Sequence, residues 1–309
     1  MTKVFIAGGE GTTGLRLAER LGKRRDVQLL NIDEALRKDT GELLRKMVQA
    51  DFCFFCLPDS AALELAELAK ELPCRIIDAS TAHRVSDGWD YGFPELSRAY
   101  REAIAASRRV ANPGCHASGF LALTRPLVDA GLLAPGAVLS CTSLTGYSGG
   151  GKRMIAQYEA QERALELDSS FLYALGQSHK HLPEMAKHSG LTAAPVFLPV
   201  VGDYYAGMAV SVPLSSAQLT ATIEINDLRG VFRKHYSDGG LVRVIDEEPG
   251  ALYANSMSGR DDMRIYVTGG DSRFVLTALF DNLGKGASGS AIQCFNIMNG
   301  LADETGLCV

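Results

Sequence analysis

The sequence places a cysteine, Cys115, directly after Asn-Pro-Gly and directly before an amphipathic helical pattern. Pro113 and Gly114 predict a tight turn, because proline fixes φ at about −65° and glycine accepts dihedral angles that other residues avoid. Cys115 would then lie in the first turn of a helix, where unpaired backbone N–H groups and the helix dipole favour a thiolate. The pattern predicts a cysteine nucleophile, and a buried core cysteine is the structural alternative.

Two histidines, His179 and His181, stand two residues apart in the segment SHKHLPEM. If this segment is extended, side chains at i and i+2 face the same side, so both imidazoles could reach one ligand. No further zinc ligands have suitable spacing, so an acid/base partner for the cysteine is the more economical interpretation. We expect no metal and leave open which of the two histidines acts. We interpret His188 and His235, in polar surroundings, as surface residues.

The N-terminal segment KVFIAGGEGTTGLRLAERL predicts a strand, a glycine turn and a helix, the context of a dinucleotide-binding fingerprint. Gly8, Gly11 and Gly14 let the backbone approach a pyrophosphate, which the helix N-terminus then stabilises. The second predicted strand ends at Asp33, and an acidic residue there favours NAD, whereas the nearby Arg37 and Lys38 favour NADP. These residues leave the choice between the two cofactors open.

Strand and helix patterns alternate through the first hundred residues, which predicts a doubly wound parallel sheet. Open parallel sheets bind ligands beyond the carboxyl ends of their strands. The polar segments at those ends are therefore candidate site edges, and they contain Pro58, Asp59, Ser60, Ser80, Thr81, His83 and Arg84. The segments after Cys115 predict a mixed, partly antiparallel α+β domain. Cys53 and Cys56 form C-x-x-C in a strand-like run and are predicted core residues.

Gly146 and the pair Gly151–Lys152 have the spacing of a triphosphate-binding P-loop, between a strand and a helix. However, Arg153 stands where Ser or Thr should bind Mg²⁺, and no acidic strand end is evident as a partner. We therefore predict a glycine-rich loop that carries Lys152 towards an anionic substrate, rather than triphosphate hydrolysis.

The composition excludes several classes of protein. The chain has 309 residues, 31 basic and 36 acidic, and its net charge of −5 gives no general attraction to nucleic acid or an anionic membrane. The first apolar run passes directly into glycines, unlike a signal peptide, and no stretch approaches the ~20 apolar residues of a membrane span. Seven scattered cysteines favour a reducing compartment. We expect a cytoplasmic protein of two domains, with neither nucleic acid nor membrane as partner.

Beyond these separate patterns, the chain resembles a known family almost from end to end. The matching segments are AGGEGTTG, IIDASTAHR, WDYGFPEL, VANPGCHASG, LTGYSGGGK, HKHLPEM, VGDYYAGM and DNLGKGASGSAIQ. They resemble the N-acetyl-γ-glutamyl-phosphate reductases of arginine biosynthesis, in particular their short (type 2) branch, and NPGC before a small-residue helix start is the most specific. One departure is that His116 follows the cysteine where an aromatic residue, commonly tyrosine, is usual.

The resemblance implies a fold shared with aspartate-semialdehyde dehydrogenase and related to glyceraldehyde-3-phosphate dehydrogenase. In that layout a Rossmann domain spans residues 1–114 and is completed by a C-terminal helix at 285–309, and an α+β catalytic and oligomerisation domain spans 115–284. The implied reaction is the NADPH-dependent reduction of N-acetyl-γ-glutamyl phosphate to N-acetylglutamate 5-semialdehyde, through a Cys115 thioester, with release of inorganic phosphate. The implied assembly is a homodimer or a homotetramer.

The resemblance also implies roles for individual residues. Cys115 is the nucleophile, and a histidine of the HKH segment, His179 or His181, is its acid/base partner. The implied substrate-binding residues are Arg84, Asn112, Ser148, Lys152 and Glu184. The implied NADPH-binding residues are Gly8, Gly11, Thr12, Thr13, Gly14, Pro58, Ser80 and Asn282.

Two alternatives remain at this stage. Aspartate-semialdehyde dehydrogenase, or a reductase of a related aminoadipyl phosphate, would use the same cysteine and histidine and differ only in the substrate pocket. A dinucleotide-binding regulator that has lost catalysis is an alternative from another class, and a reactive thiol at Cys115 would argue against it.

Overall fold

The structure is a computed structural model and describes residues 1–270 and 272–309. The chain forms two compact units. The first contains Met1–Pro94, Ala99–Pro113 and Ala287–Leu307, and the second contains Glu95–Arg98, Gly114–Gly286 and Cys308–Val309. Among the residues described, no helix has the length and apolar character needed to cross a bilayer.

The strands and helices have the following bounds. The strands are β1 (Thr2–Ala7), β2 (Val27–Leu30), β3 (Phe52–Phe55), β4 (Arg75–Asp78), β5 (Asp90–Tyr91), β6 (Arg109–Ala111), β7 (Ser140–Gly146), β8 (Phe171–Leu172), β9 (Val196–Gly202), β10 (Met208–Ser215), β11 (Val242–Ile245), β12 (Met263–Gly270) and β13 (Arg273–Phe280). The α-helices are α1 (Thr12–Gly22), α2 (Thr40–Gln49), α3 (Asp59–Leu68), α4 (Arg98–Ala106), α5 (Cys115–Asp129), α6 (Gly151–Tyr158), α7 (Leu182–Ser189), α8 (Ile225–His235) and α9 (Gly289–Met298).

The first unit is built on a parallel sheet with the spatial order β2-β1-β3-β4-β6-β5. Helices pack on both of its faces, because neighbouring residues of a strand point to opposite sides. Val4 of β1 packs in one cluster with Leu17 of α1 and Phe295 of α9, whereas Phe5 packs in another with Leu65 of α3. The predicted doubly wound parallel sheet is confirmed.

The second unit is built on a mixed sheet with the order β11-β12-β13-β10-β7-β9-β8. Among the described strands of this second sheet, only β7–β9 and β11–β12 pair in parallel, so the predicted mixed α+β character is confirmed. Helix α5 lies against β10 and β13, and α7 packs on α5. At Gly119 of α5, an added Cβ would stand 2.4 Å from a side-chain carbon of Val210, so a glycine allows the helix to approach the sheet this closely.

The other face of this mixed sheet carries exposed apolar side chains. Leu144, Val196, Leu198 and Val275 are each more than a third exposed, on the strands β7, β9 and β13. The register pairs Leu198 with Thr142, Thr142 with Ser211 and Leu144 with Val200, which places these side chains on a single face. Exposed apolar patches of this kind mark interaction surfaces.

Some element boundaries differ from those predicted. Strand β2 ends at Leu30, and Asp33 caps a short 3₁₀ turn by accepting the N–H of Ala35. The short strands β5 and β6 were not predicted, because two or three residues are too few to show a period.

The C-terminal helix α9 is shorter than the expected segment 285–309, since it ends at Met298. Gly300 has a φ of 67°, its N–H donates to Ile297 O, and the N–H of Leu301 donates to Asn296 O. These bonds form a Schellman motif, which stops the helix.

Candidate active site

Cys115 is the first residue of α5, as its position after Asn-Pro-Gly predicted. Gly114 is the N-cap, and the first helical hydrogen bond runs from the N–H of Ser118 to Gly114 O. The N–H groups of His116 and Ala117 therefore precede the helical ladder and give the helix start its partial positive charge. Cys115 is half-buried, so it is not one of the fully buried core cysteines.

A second helix start meets this one through Glu184. The Glu184 carboxylate is almost fully buried and accepts the N–H of Gly114 at 3.0 Å. Glu184 lies in the first turn of α7, and His181 is the N-cap of that helix. The contact ties Glu184 to the turn before Cys115, and its expected substrate-binding role stays a prediction.

The two histidines of HKH are brought together, but not in the way predicted. The segment forms a turn rather than a strand, and the N–H of His181 donates to Nδ1 of His179 at 3.1 Å. The two rings meet edge to face, with centroids 4.7 Å apart. Because His179 Nδ1 accepts this bond, a neutral His179 carries its proton on Nε2.

His116 is the centre of an aromatic cluster that includes both histidines. Its ring centroid lies 5.3 Å from His179, 5.5 Å from His181 and 5.3 Å from Phe197. His116 is 2% exposed, and burial, with the neighbouring positive charges of His179 and Lys180, lowers its pKa to about 3. His116 is therefore a neutral ring against which the two candidate acid/base histidines pack.

Two residues that no sequence motif marks are hydrogen-bonded to that ring. His116 Nδ1 lies 2.7 Å from Ser143 Oγ on β7, and His116 Nε2 lies 2.8 Å from the Tyr173 hydroxyl, just after β8. Neither residue belongs to a motif, because 27 and 57 residues separate them from His116. The burial of Tyr173 and the charge of Cys115 raise the pKa of the Tyr173 hydroxyl.

The GKGASG segment packs directly against the cysteine. A Cβ added at Gly286 would stand 2.9 Å from Cys115 Cβ, so only glycine fits there without a shift. The preceding Lys285 is 1% exposed and forms an ion pair with the buried Glu95, at 2.8 and 2.9 Å. Breaking such a buried pair is strongly destabilising, so Lys285 and Glu95 hold the segment in place.

Two predicted ligand-binding residues of the second unit bind each other. The Asn282 side chain donates to Ser148 Oγ at 3.0 Å and accepts the N–H of Gly207 at 2.9 Å, and both side chains are buried. These bonds fix the strand end and the glycine loop that follows β7. Lys152 is exposed on the first turn of α6.

The glycine turn of the first unit has different requirements at each position. Gly8 has a φ of 80°, and an added Cβ would stand 2.4 Å from Cys56 O; at Gly14 it would stand 2.6 Å from Gly8 O. At Gly11 the nearest atom would be 3.7 Å away, an ordinary contact. Gly8 and Gly14 are therefore required by the fold itself, whereas Gly11 leaves open space before Thr12 and Thr13 at the start of α1.

A cleft of about 300 Å³ borders this glycine turn. Gly8, Glu10, Glu34 and Arg37 contribute to its wall, and Arg37 is the basic side chain among its lining residues. Arg37 lies 3.2 Å from a Glu34 carboxylate oxygen and 3.7 Å from one of Glu10. A cleft beside a helix N-terminus with an uncapped first turn fits a dinucleotide phosphate.

The predicted site residues that follow β3 and β4 lie in loops held by internal hydrogen bonds. Ser80 donates from its backbone and its hydroxyl to Asp78, which also binds His83 Nδ1 at 2.6 Å. The Arg84 guanidinium is buried and donates to the carbonyls of Asn112 and Ala79. Pro58 is the N-cap of α3.

Asn112 has a buried side chain that donates to Ala287 O at 3.0 Å. Its Oδ1 accepts no hydrogen bond from the residues described.

Two of the sequence-based interpretations of histidines are wrong. His188 is buried in α7, and His235 is largely buried, with Nε2 3.1 Å from Glu95 O. Burial lowers the pKa of His235. Lys187 and Lys234, each directly before one of these histidines, are exposed, so local composition does not report the burial of the two rings.

The cysteines match their predicted core positions. Cys53 is fully buried and Cys56 packs against the core of the first unit. Burial raises the pKa of Cys56 to about 12. None of the seven cysteines, all within the described ranges, forms a disulfide. In those ranges no group of three or more His, Cys, Asp or Glu side chains is arranged to hold a metal ion.

Comparisons with known proteins match both units to one class. The family model described as the NAD binding domain of semialdehyde dehydrogenase matches residues 3–106, and the model described as its dimerisation domain matches residues 115–282. The fold is similar to that of aspartate semialdehyde dehydrogenase II from Vibrio cholerae, with a TM-score of 0.73 over 97% of this chain and 98% of that one, at 16% identity. The chain therefore has the fold of the semialdehyde dehydrogenase class.

Relatives of higher sequence identity identify the family within this class. This chain is 44% identical to an N-acetyl-gamma-glutamyl-phosphate reductase of Brucella anthropi, over 96% of this chain and 98% of that protein. It is 40% identical to N-acetyl-gamma-glutamyl-phosphate reductase 2 of a Nostoc species, over 99% of each. Within the semialdehyde dehydrogenases, the chain belongs to the N-acetyl-gamma-glutamyl-phosphate reductase family.

The lowered pKa of His116 predicts a pH-dependent contribution to stability. An imidazole in the unfolded chain has a pKa of about 6.5, whereas folded His116 takes up a proton only near pH 3. As the pH falls from about 6.5, unfolding becomes more favourable by up to about 1.4 kcal/mol per pH unit. In His116→Gln this dependence is removed, so the difference in unfolding free energy between wild type and variant should narrow from about pH 7 to about pH 5.

Urea unfolding at several pH values measures this difference. Phe197→Leu is the matched control, because it disturbs the same cluster without removing a titratable group, and its effect should be independent of pH. A constant difference between wild type and His116→Gln over this range would show that His116 does not have a lowered pKa.

Proposed function

We propose that this protein reduces N-acetyl-γ-glutamyl phosphate to N-acetylglutamate 5-semialdehyde with NADPH, releasing inorganic phosphate, as part of arginine biosynthesis. The observation that carries the proposal is the position of Cys115 at the start of α5, next to the ring on which His179 and His181 pack. The family to which the chain belongs supplies the substrate. The similarity to aspartate semialdehyde dehydrogenases, at 16% identity and below, supports the fold alone.

Cys115 is the nucleophile in this proposal. Its thiolate attacks the acyl carbon, the carbon–oxygen bond to phosphate breaks, and a thioester forms on the protein. After reduction the carbon–sulfur bond breaks, the aldehyde leaves and the thiolate is restored. The N–H groups of His116 and Ala117, which precede the helical ladder, are the proposed donors to the oxyanions that form.

His181 is the better candidate for the general acid/base group. A base needs a nitrogen lone pair towards the thiol, and Nδ1 of His179 already accepts the N–H of His181. The remaining nitrogen of a neutral His179 is a donor, which suits an oxyanion or a phosphate oxygen. We therefore assign the proton transfer from the thiol to His181 and a hydrogen-bond donor role to His179.

NADPH would be held by the glycine turn of the first unit, with Gly11, Thr12 and Thr13 at the phosphates. Arg37 lines the adjoining cleft and carries the positive charge that the additional phosphate of NADP requires. When bound, the cofactor supplies the hydride that reduces the thioester. Gly8 and Gly14 shape the turn, and we propose no direct contact for the internally bonded Ser80 and Asn282.

Lys152 is the proposed electrostatic partner of the substrate, since it is an exposed cation beside the glycine loop. We assign Ser148, Arg84 and Glu184 to holding loops instead, because their polar groups are engaged within the protein. Asn112, whose buried Oδ1 accepts no bond from the described residues, keeps a proposed ligand-binding role.

We propose that residues 1–114, with the C-terminal helix, are the NADP-binding domain and that residues 115–284 are the catalytic domain. The exposed apolar face of β7, β9 and β13 supports a homodimer through a second copy of this face. The family model described as a dimerisation domain matches the same unit. A cytoplasmic location, where biosynthetic NADPH is available, belongs to the proposal.

The reverse reaction tests the proposal most directly. With N-acetylglutamate 5-semialdehyde, phosphate and NADP⁺, the wild type should form NADPH, and with aspartate semialdehyde it should form far less. Cys115→Ser should lose at least about 10³-fold in rate, because serine is a weak nucleophile at neutral pH. The affinity of this variant for NADPH, measured by cofactor fluorescence, should be unchanged. Turnover in Cys115→Ser would exclude the thioester intermediate. A preference of the wild type for aspartate semialdehyde would exclude N-acetylglutamate 5-semialdehyde as the substrate.

Single replacements separate the two histidines. His181→Asn should lower kcat by about 10²–10⁴-fold and remove the acidic limb of the pH–rate profile, because the base is lost. His179→Asn keeps an N–H donor at that place and should lose less while keeping the limb. Equal, mild losses in the two variants would exclude both histidines as the base.

Gly11→Val tests the cofactor site without an expected effect on the fold. The Cβ at Gly11 would meet only ordinary contacts, so valine fills space that the phosphates need. We expect the dissociation constant for NADPH to rise at least about tenfold, measured by calorimetry, with an unchanged melting temperature. Gly230→Val on α8, where an added Cβ meets nothing within 4 Å, is the control. Unchanged NADPH affinity in Gly11→Val would show that the cofactor binds at another site.

A further inference from the structure

The cleft beside the glycine turn of the first unit carries more negative than positive charge. The carboxylates of Glu10 and Glu34 line it, and Arg37 is the basic residue among the described residues of its wall. At neutral pH these three side chains have a net charge of −1. A cleft that selects strictly for the additional phosphate of NADP would need an excess of positive charge, because such a phosphate carries about −1.5 to −2.

Arg37 is already held by both carboxylates of the cleft. Its Nη1 lies 3.2 Å from a carboxylate oxygen of Glu34, and its Nε lies 3.7 Å from one of Glu10. The Glu34 side chain is 84% exposed, and those of Arg37 and Glu10 are 37% and 47% exposed. Water screens ion pairs at such exposure, so each pair is weak and Arg37 can exchange a carboxylate for another anion.

The acidic residue after β2 that lines the cleft is Glu34 rather than Asp33. The sequence predicts a strand that ends at Asp33, where a carboxylate would accept hydrogen bonds from the ribose hydroxyls of NAD. In the structure the Asp33 carboxylate instead accepts the N–H of Ala35 as the N-cap of a 3₁₀ turn. Glu34 follows it and lines the cleft, and its carboxylate has further lone pairs beyond the contact with Arg37. Glu34 therefore takes the place of the expected ribose-binding carboxylate.

We propose that Glu34 and Arg37 exchange roles between two cofactors, so that this cleft accepts NADH as well as NADPH. With NADH, the Glu34 carboxylate accepts a hydrogen bond from the 2′-hydroxyl of the adenine ribose, and Arg37 stays with the carboxylates. With NADPH, Arg37 leaves Glu34 for the 2′-phosphate, which Glu34 then opposes as a like charge. Glu34 is thus the residue that limits the preference for NADPH. The inference rests on the proposed function, because it concerns the cofactor of that reaction.

The size of this preference follows from the charges. One charge-assisted hydrogen bond from Arg37 favours the 2′-phosphate by about 10- to 100-fold. Repulsion between the Glu34 carboxylate and a doubly charged phosphate a few ångströms away, screened by water and salt, opposes it by about three- to tenfold. The hydrogen bond that Glu34 forms only with NADH reduces the difference further. We therefore expect the wild type to prefer NADPH by about tenfold or less.

Calorimetric titration of the full chain with each cofactor tests the proposal without turnover. The wild type should bind NADH no more than about tenfold more weakly than NADPH. In Glu34→Gln the dissociation constant for NADPH should fall about three- to tenfold, because the like charge is removed and Arg37 is available to the phosphate. The dissociation constant for NADH should rise about two- to fivefold, because a neutral amide is a weaker acceptor than a carboxylate.

Two further variants separate this effect from a general change in charge. Glu10 lies within the glycine turn, so Glu10→Gln removes a charge near the pyrophosphate that both cofactors share, and both dissociation constants should fall. Glu64→Gln is the matched control, at an exposed glutamate of α3 outside the lining of the cleft, and should change neither. Because the Glu34 side chain is exposed, Glu34→Gln should keep the melting temperature of the wild type.

Opposite shifts for the two cofactors are expected only if Glu34 acts on the 2′ group. No shift, or shifts of the same sign, in Glu34→Gln would overturn the role of Glu34. A wild-type preference for NADPH of 100-fold, on the order of a full charge-assisted bond without opposition, would overturn the acceptance of both cofactors. Either result leaves the proposed function intact as long as NADPH binds and the reverse reaction proceeds with NADP⁺. Failure of the wild type to bind NADPH would instead refute the cofactor of the proposed function.

Discussion

The hydrogen bond from the N–H of Gly114 to the carboxylate of Glu184 joins the two helix starts that carry the proposed chemistry. Cys115 opens α5 and His181 caps α7, so the nucleophile and the proposed base each lie where a helix leaves backbone N–H groups unbonded. A buried carboxylate accepts one of those N–H groups and ties the two ends together. The relation of cysteine to histidine is therefore set by two packed helices and by the buried Glu184 side chain that joins them.

Close packing at two glycines also holds α5 and Cys115 in position. Gly119 lets α5 approach β10, and Gly286 lets the GKGASG segment approach Cys115, at distances that a methyl group would prevent. The buried Lys285–Glu95 pair holds the second contact in place. These contacts hold Cys115 in one position. A nucleophile that is fixed in one orientation towards its substrate reacts at a high effective concentration.

The sequence predicts those features whose causes are local. The turn and helix at Cys115, the glycine turn and the doubly wound sheet follow from short patterns, and the structure confirms the fold. The cluster around His116 has no such signal, because Ser143 and Tyr173 reach it only after β7 and β8 have joined the sheet. For the same reason, composition misplaced His188 and His235 at the surface, although both rings are largely buried.

The topology also bears on the order in which the chain can fold during its synthesis. Helix α9 packs beside α1 on one face of the first unit's sheet, yet residues 287–307 are translated after almost all of the second unit. While residues 114–286 leave the ribosome, the sheet of the first unit therefore has one apolar face that is only partly covered. Of the two units, the one whose sheet is translated first is therefore the one whose core closes last, and an apolar surface exposed during that interval is a site for chaperones.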